Sequence, residues 1–314
     1  MIYLTALSKV LPVLLLILLG AFFRRTGFLS QAAVAGMKKL VVNVTLPAAL
    51  FLAFAGMTLE GRHLVLVAIV FLLCVLALLL ARALWPRLGF RSAYTPALMT
   101  GFEAGMMGYA IYAAVYGAGN LFKFAVVDLG QVLFVFFVLV PWVTQLSTGT
   151  MSLRDTVLGF IKTPVIAGIF LGILVNQLGL VAPLRGWPPT DAVFRTAEML
   201  GAITTPLIAS VIGYEVRLQR GALAMPARAT ALRLLLWAPI GLLLIVLVVN
   251  TLLDGDPLFR AAVMTMFVLP APFVAPLFMG AAPEEERTFV VNSLSLMTLF
   301  TLVAFTIVAV AFPA

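Results

Sequence analysis

The sequence predicts an all-α polytopic membrane protein, with ten transmembrane helices arranged as two five-helix repeats. Three observations predict it. Of 314 residues, 63% are apolar and 10% charged, and mean hydropathy is +1.17; a soluble domain has roughly 45–50% apolar and about 25% charged residues. Ten helices of roughly 20 residues, each crossing about 30 Å of hydrocarbon, would use about 200 residues, which matches the apolar content. The apolar stretches are continuous rather than alternating, which disfavours a β-barrel. This composition excludes a soluble enzyme, a disordered chain and a disulfide scaffold.

Polar punctuation places the ten spans at 4–23, 35–56, 63–83, 95–116, 124–146, 163–182, 193–214, 229–252, 259–280 and 288–311. The first has a short n-region at Lys9, as a signal peptide would. Arg24 and Arg25 stand where a small-residue cleavage site should be, so it reads as an uncleaved helix. Basic residues set the orientation. With the N-terminus outside, Lys9, Arg62, Lys123, Arg185, Arg195 and Arg260 fall in outer gaps. The other fourteen of the 20 Lys and Arg, Arg233 among them, fall in inner gaps. Both termini are therefore expected outside. The net charge of +8 and pI near 10.1 read as topology signals, with no nucleic-acid partner expected. Glu284, Glu285 and Glu286 are expected in a solvated inner loop. His63 is expected in a loop, and an Arg195–Glu198 ion pair at the interface.

The chain repeats itself. Leu19-Gly20 followed by Gly27 returns as Leu171-Gly172 followed by Gly179. Thr45-Leu46-Pro47 with Gly56 returns as Thr204-Thr205-Pro206 with Gly213. Val126-Val127-Asp128 returns as Val290-Val291-Asn292. The offsets of 152, 159 and 164 keep the order and divide the chain into residues 1–150 and 151–314. A repeat of five spans must be inverted in the membrane, an arrangement used by secondary transporters.

Two spans are interrupted at matching places. The fourth carries Gly101, Gly105 and Gly108 beside Glu103, Ala104 and Met106; the ninth carries Pro270, Ala271, Pro272 and Pro276. Each proline removes a donor and crowds the preceding turn. Interrupted helices in corresponding positions point to a transporter's binding site, although small residues also serve close helix packing. Glu103 is expected about 12 Å deep, where an acid is a functional candidate by default. Asp128, with Gln131 on the same helix face, is expected shallower, as a capping or coupling acid. Asn292 is its neutral repeat counterpart. Asn43 would satisfy a bent backbone or touch solute. One histidine and one cysteine (Cys74) make no metal site and no internal disulfide. No catalytic set, metal or cofactor is expected.

The first two spans read Leu19-Gly20-Ala-Phe-Phe-Arg-Arg-Thr-Gly-Phe-Leu-Ser and then Lys39-Leu-Val-Val-Asn-Val-Thr-Leu-Pro47-Ala. With the fourth span, Thr205 to Gly213 and Pro270-Ala-Pro272, their order resembles bacterial members of the auxin efflux carrier family over nearly the whole chain. The resemblance implies two inverted five-helix repeats, a scaffold-like and a mobile domain, and fourth and ninth helices that cross where they break, as in the related bile-acid:sodium symporters. It implies organic anions as substrates: auxin in plants, malate or malonate in some bacteria. This chain departs from relatives carrying Gly-Asn-Thr-Gly-Phe and a later Gly-x-Pro. It has Phe102-Glu103-Ala104-Gly105-Met106 and Gly108-Tyr109-Ala110, a carboxylate for the amide and no proline.

The expectation is a carrier of a small organic solute in the bacterial inner membrane. A proton or sodium ion would be its coupling partner, lipid its surroundings and a homodimer an open possibility. The alternatives are a membrane-embedded enzyme using intramembrane acids, and a sensor or assembly protein. Cysteines placed singly at positions 2 and 314, in a Cys74→Ser background, should both react with an impermeant thiol reagent on intact cells; protection of either overturns the topology.

Overall fold

The computed structural model describes residues 2–57, 60–148, 158–216, 223–273, 276, 279 and 282–313. Twelve helical segments carry the argument. They are α1 (Ile2–Thr26), α2 (Gln31–Ala55), α3 (Gly61–Leu84), α4 (Thr95–Met99), α5 (104–116), α6 (Ala118–Ser147), α7 (Pro164–Gln177), α8 (Val181–Gly186), α9 (Pro188–Glu215), α10 (Ala224–Leu252), α11 (Pro257–Val268) and α12 (Glu284–Ala311). Among the described residues there is no strand. Among the described residues six segments, α2, α3, α6, α9, α10 and α12, are long and apolar enough to cross a membrane; α7 and α11 are shorter apolar helices. The protein is a multi-pass membrane protein by this measure.

Local chemistry sets the element ends. Ser30 caps α2, its Oγ accepting from the Ala33 N–H at 3.1 Å. Gly27 and Gly179, both at positive φ, turn the chain out of α1 and α7. Prolines shift the ladder in α2 and α6: π turns at Val41–Thr45 and Val135–Leu139 each end two residues before a proline, Pro47 and Pro141. A proline has no N–H for the carbonyl four residues back, so the preceding turn widens.

Small residues set the closest helix crossings. A Cβ on Gly20 of α1 would strike the Ser210 carbonyl of α9, and one on Gly213 would strike the Ile17 carbonyl of α1. In the same way α7 meets α2, with Gly172 against the Phe51 carbonyl and Gly168 against that of Pro47, while Gly130 of α6 lies against Val67 of α3. Burying apolar side chains against each other gains little where lipid is equally apolar, so such backbone approaches carry the association. The largest buried side chains, including Phe102, Tyr109, Tyr112, Phe124, Trp237 and Phe267, gather around the interruption in the fourth predicted span. Outward faces of α1, α3 and α7 carry exposed Leu18, Leu76 and Phe170, as suits hydrocarbon.

Several sequence expectations are corrected. His63 is not in a loop but in the first turn of α3, where its Nδ1 accepts the Glu60 N–H at 3.1 Å in a reciprocal cap. Glu284, Glu285 and Glu286 form the first turn of α12, where the helix dipole favours negative charge. Arg195 pairs with Asp191 at 2.7 Å, one turn back in α9, and Glu198 pairs with Arg185 of α8 at 2.8 Å, so each has a partner other than the one expected. Arg233 is no loop residue: it is buried within α10.

Gly20→Ala and Gly213→Ala should each destabilise the purified protein by about 1–3 kcal/mol through overpacking, seen as a lower melting temperature. Gly36→Ala, whose Cβ meets nothing within 4 Å, should not.

Candidate functional site

The fourth predicted span is two helices, α4 and α5, with residues 100–103 between them. The break therefore precedes Gly105 and Gly108 instead of falling on them. Thr100 is extended, and Gly101 turns at φ +63, a conformation that costs other residues energy. A Cβ at Gly101 would also strike the Pro272 ring. Gly105 and Gly108 lie in the opening π turn of α5 (Ala104–Gly108), where the Gly108 N–H reaches the Glu103 carbonyl at 3.1 Å. A Cβ on Gly108 would meet Phe124 and Leu269.

In the ninth predicted span, α11 stops at Val268. A residue before proline is driven to extended backbone, so Pro270 and Pro272 direct Leu269 and Ala271 out of the helix; Leu269 is extended. Glu103 is the junction. Its N–H donates to the Pro270 carbonyl at 2.9 Å. Its Oε2 accepts the Phe273 N–H at 2.6 Å, and its Oε1 accepts the Met106 N–H at 3.0 Å. The acid is 8% exposed. It caps α5 and holds the two broken spans together, so it lies in a break and not in a continuous helix.

A polar chain runs from the break into α6. The Phe102 N–H donates to Gln131 Oε1 at 3.1 Å, Gln131 Nε2 to Asp128 Oδ1 at 2.6 Å, and the Tyr109 hydroxyl to Asp128 Oδ2 at 2.8 Å. Asp128 is 3% exposed, so it is an interior acid and not a shallow cap. Gln131 shares its face, as the three-residue spacing implies. Asn292 is buried in α12, and Ala104, Met106 and Ala271 are buried at the crossing. Asn43 does not join them: it is exposed, and its amide donates to the Lys39 carbonyl of its own helix at 2.8 Å.

The other half of the site was missed in the sequence reading. Both helices that stop here, α4 and α11, leave carbonyls without intrahelical partners. Arg233 of α10 takes three of them: Nε from Leu269 at 3.2 Å, Nη1 from Leu98 at 2.9 Å, and Nη2 from Gly101. One turn on, Trp237 Nε1 takes the Met99 carbonyl at 2.8 Å, and Thr301 of α12 takes that of Val268 at 2.6 Å. The Arg233 guanidinium also lies 5.0 Å from the Phe102 ring centre. Arg233 and Trp237 at i and i+4 in an apolar run were the available signal.

A cavity of about 470 Å³ opens beside the crossing. Gln31, Val34 and Lys38 of α2, Tyr214 and Glu215 of α9, and Leu294, Ser295 and Thr298 of α12 line it, with Phe273 and Pro276 on the crossing side. Lys38 and Glu215 pair at 2.7 Å. At the other end of α2 lies a polar cluster. Arg62 pairs with Glu60 and Asp254, and Lys123 with Asp256. Burial would raise the Asp256 carboxyl, but Lys123 and the Phe259 and Leu258 N–H groups outweigh it and hold it below the ordinary 3.8.

No family model matches the chain. A protein of Methanothermobacter thermautotrophicus named "Uncharacterized transporter" is 27% identical over 247 residues, covering 75% of this chain and 77% of its own length. The chain thus has a distant relative called a transporter, and that name specifies no solute.

A lowered aspartate stabilises the fold above its unfolded pKa, and that contribution is lost as pH falls through the folded value. The stability gap between wild type and Asp256→Asn should be widest near neutral pH and close below pH 3.8, as read in melting temperatures across acid pH.

Proposed function

We propose that the protein is a secondary transporter that moves a small organic solute by alternating access at the crossing. The observation that carries this reading is the meeting of two interrupted apolar spans through Glu103, Pro270 and Phe273, with Phe273 also lining a cavity large enough for a small metabolite. Broken helices at a repeat interface are the ordinary construction of a transporter's solute site. The distant relative's name supports the same reading.

We further propose ten spans in two inverted repeats, residues 1–150 and 151–314. Equivalent contacts support the symmetry. The offset of 152 carries Arg24 onto Asn176, and that of 159 carries Ala55 onto Tyr214. Arg24 Nη1 donates to the Tyr214 carbonyl at 3.0 Å, and Asn176 Nδ2 to the Ala55 carbonyl at 2.7 Å. The same offsets carry the Gly20–Ser210 approach onto Gly172–Phe51. The cavity then lies on the side where α1 ends in Arg24 and Arg25, the cytoplasmic side of the bacterial inner membrane in this reading, with both termini outside.

An organic anion such as a carboxylate suits Lys38 in the cavity wall, which can exchange Glu215 for the solute. Glu103 is the proposed coupling group, and Asp128 the second candidate. Both Glu103 oxygens accept backbone N–H groups, which suits the carboxylate. Protonation makes one oxygen a donor facing an N–H, loosening the bond to Phe273 or the cap on α5. The proton would thus be felt directly by the crossing. Glu103 and Asp128 are engaged by backbone, Gln131 and Tyr109, an arrangement suited to positioning rather than to hydrolysis.

Glu103→Gln imitates the protonated acid. In proteoliposomes it should still bind solute, while uptake loses its pH dependence; a folded variant with the wild-type pH profile would remove Glu103 from coupling.

A further inference from the structure

The Arg233 guanidinium is 2% exposed and sits where two helices end. Its three hydrogen bonds run to backbone carbonyls, Leu98 in the last turn of α4, Gly101 just past it and Leu269 just past the end of α11. Among the described residues no carboxylate pairs with it. The carbonyls at a helix C-terminus carry partial negative charge, and here three of them point at one guanidinium. Unwound carbonyls and half-helix C-termini are also the groups with which carriers hold a free cation.

We propose that Arg233 is a covalently tethered cation for the crossing, occupying the carbonyl cluster that would otherwise call for a bound metal ion. Two further observations fit. Phe102, from the interruption itself, presents its ring to the guanidinium, and a ring face attracts cations in general. The planar fork reaches carbonyls from both broken spans at once, which one point charge without a stem would do less well. The carbonyls surround the fork, so a free guanidinium ion is the best substitute for the missing side chain, and a partly hydrated sodium ion the next. Taken with the transport reading, on which this part rests, the crossing needs no sodium ion, and coupling falls to a titratable group.

The test measures melting temperatures of the purified full-length chain in lipid nanodiscs. Wild type and Arg233→Ala are compared in choline chloride, in sodium chloride and with low-millimolar guanidinium, at constant ionic strength. In choline, Arg233→Ala should melt roughly 10 °C below wild type, given the several kcal/mol lost when a buried charged partner is removed. Guanidinium should recover at least half of that loss and saturate, sodium should recover less, and wild type should melt alike in all three. An Arg233→Ala protein that responds to neither cation, or a sodium-specific rise in wild type, overturns the proposal. If Arg233→Ala gives no folded protein, Arg233→Lys and Arg233→Met decide: the charged variant should fold and the neutral one melt lower, whereas equal stability overturns the proposal. Solute uptake is assayed separately. A saturable guanidinium response without uptake of any solute tested would refute the transport reading and still support the tethered cation.

Discussion

A helix that stops inside an apolar protein leaves carbonyl groups that water cannot reach, and each must find a donor within the fold. Here two helices, α4 and α11, stop beside each other. Five of the carbonyls at their ends are taken by three side chains: Arg233, Trp237 and Thr301. An unpaired buried carbonyl costs about 1–3 kcal/mol, so the interruptions persist only because α10 and α12 present these donors. The buried aromatic cluster of Phe102, Trp237 and Phe267 packs around that junction.

The opposite problem arises where α5 begins, because a helix N-terminus leaves N–H groups without acceptors. Glu103 answers it with one oxygen and bonds Phe273 with the other. The crossing therefore has a fixed positive group on its C-terminal helix ends and an acid at an N-terminal end. Both charges match the local helix dipoles, which is how an arginine and a glutamate are tolerated deep in the bundle. They differ in role. A guanidinium serves as a fixed cation, whereas a carboxyl can lose and regain a proton, and the two bonds of Glu103 make it sensitive to which state it is in.

Around this centre the remaining helices pack by backbone approach. α1 on α9 and α7 on α2 both use glycine, and at the same two crossings Arg24 reaches the Tyr214 carbonyl and Asn176 the Ala55 carbonyl. Contacts of this kind are short and stiff, since a backbone cannot change rotamer. The cavity beside Phe273 is instead lined by side chains, with the Lys38–Glu215 pair among them. Those side chains can rearrange while the glycine crossings stay fixed.

Composition and the length of apolar runs determined that the protein is helical and lies in a membrane, because the hydrocarbon solvent admits few other arrangements. Glycine and proline marked both interruptions, since their backbone limits act locally; Pro270 and Pro272 located the second one, while Gly105 and Gly108 misplaced the first by a turn. The spacing of Asp128 and Gln131 put them on one face, and the structure joins them. What the linear pattern could not give was partner choice. Arg233 stood among residues read as topology signals, because a charge near the predicted edge of a span looks the same whether it faces lipid headgroups or the bundle interior. Asn43 had two readings, backbone partner or solute contact, and the structure shows the first, because its amide has a nearer acceptor in its own helix. Whether a polar side chain serves its own turn or another helix depends on which carbonyls arrive within about 3 Å of it, and only the tertiary structure decides that.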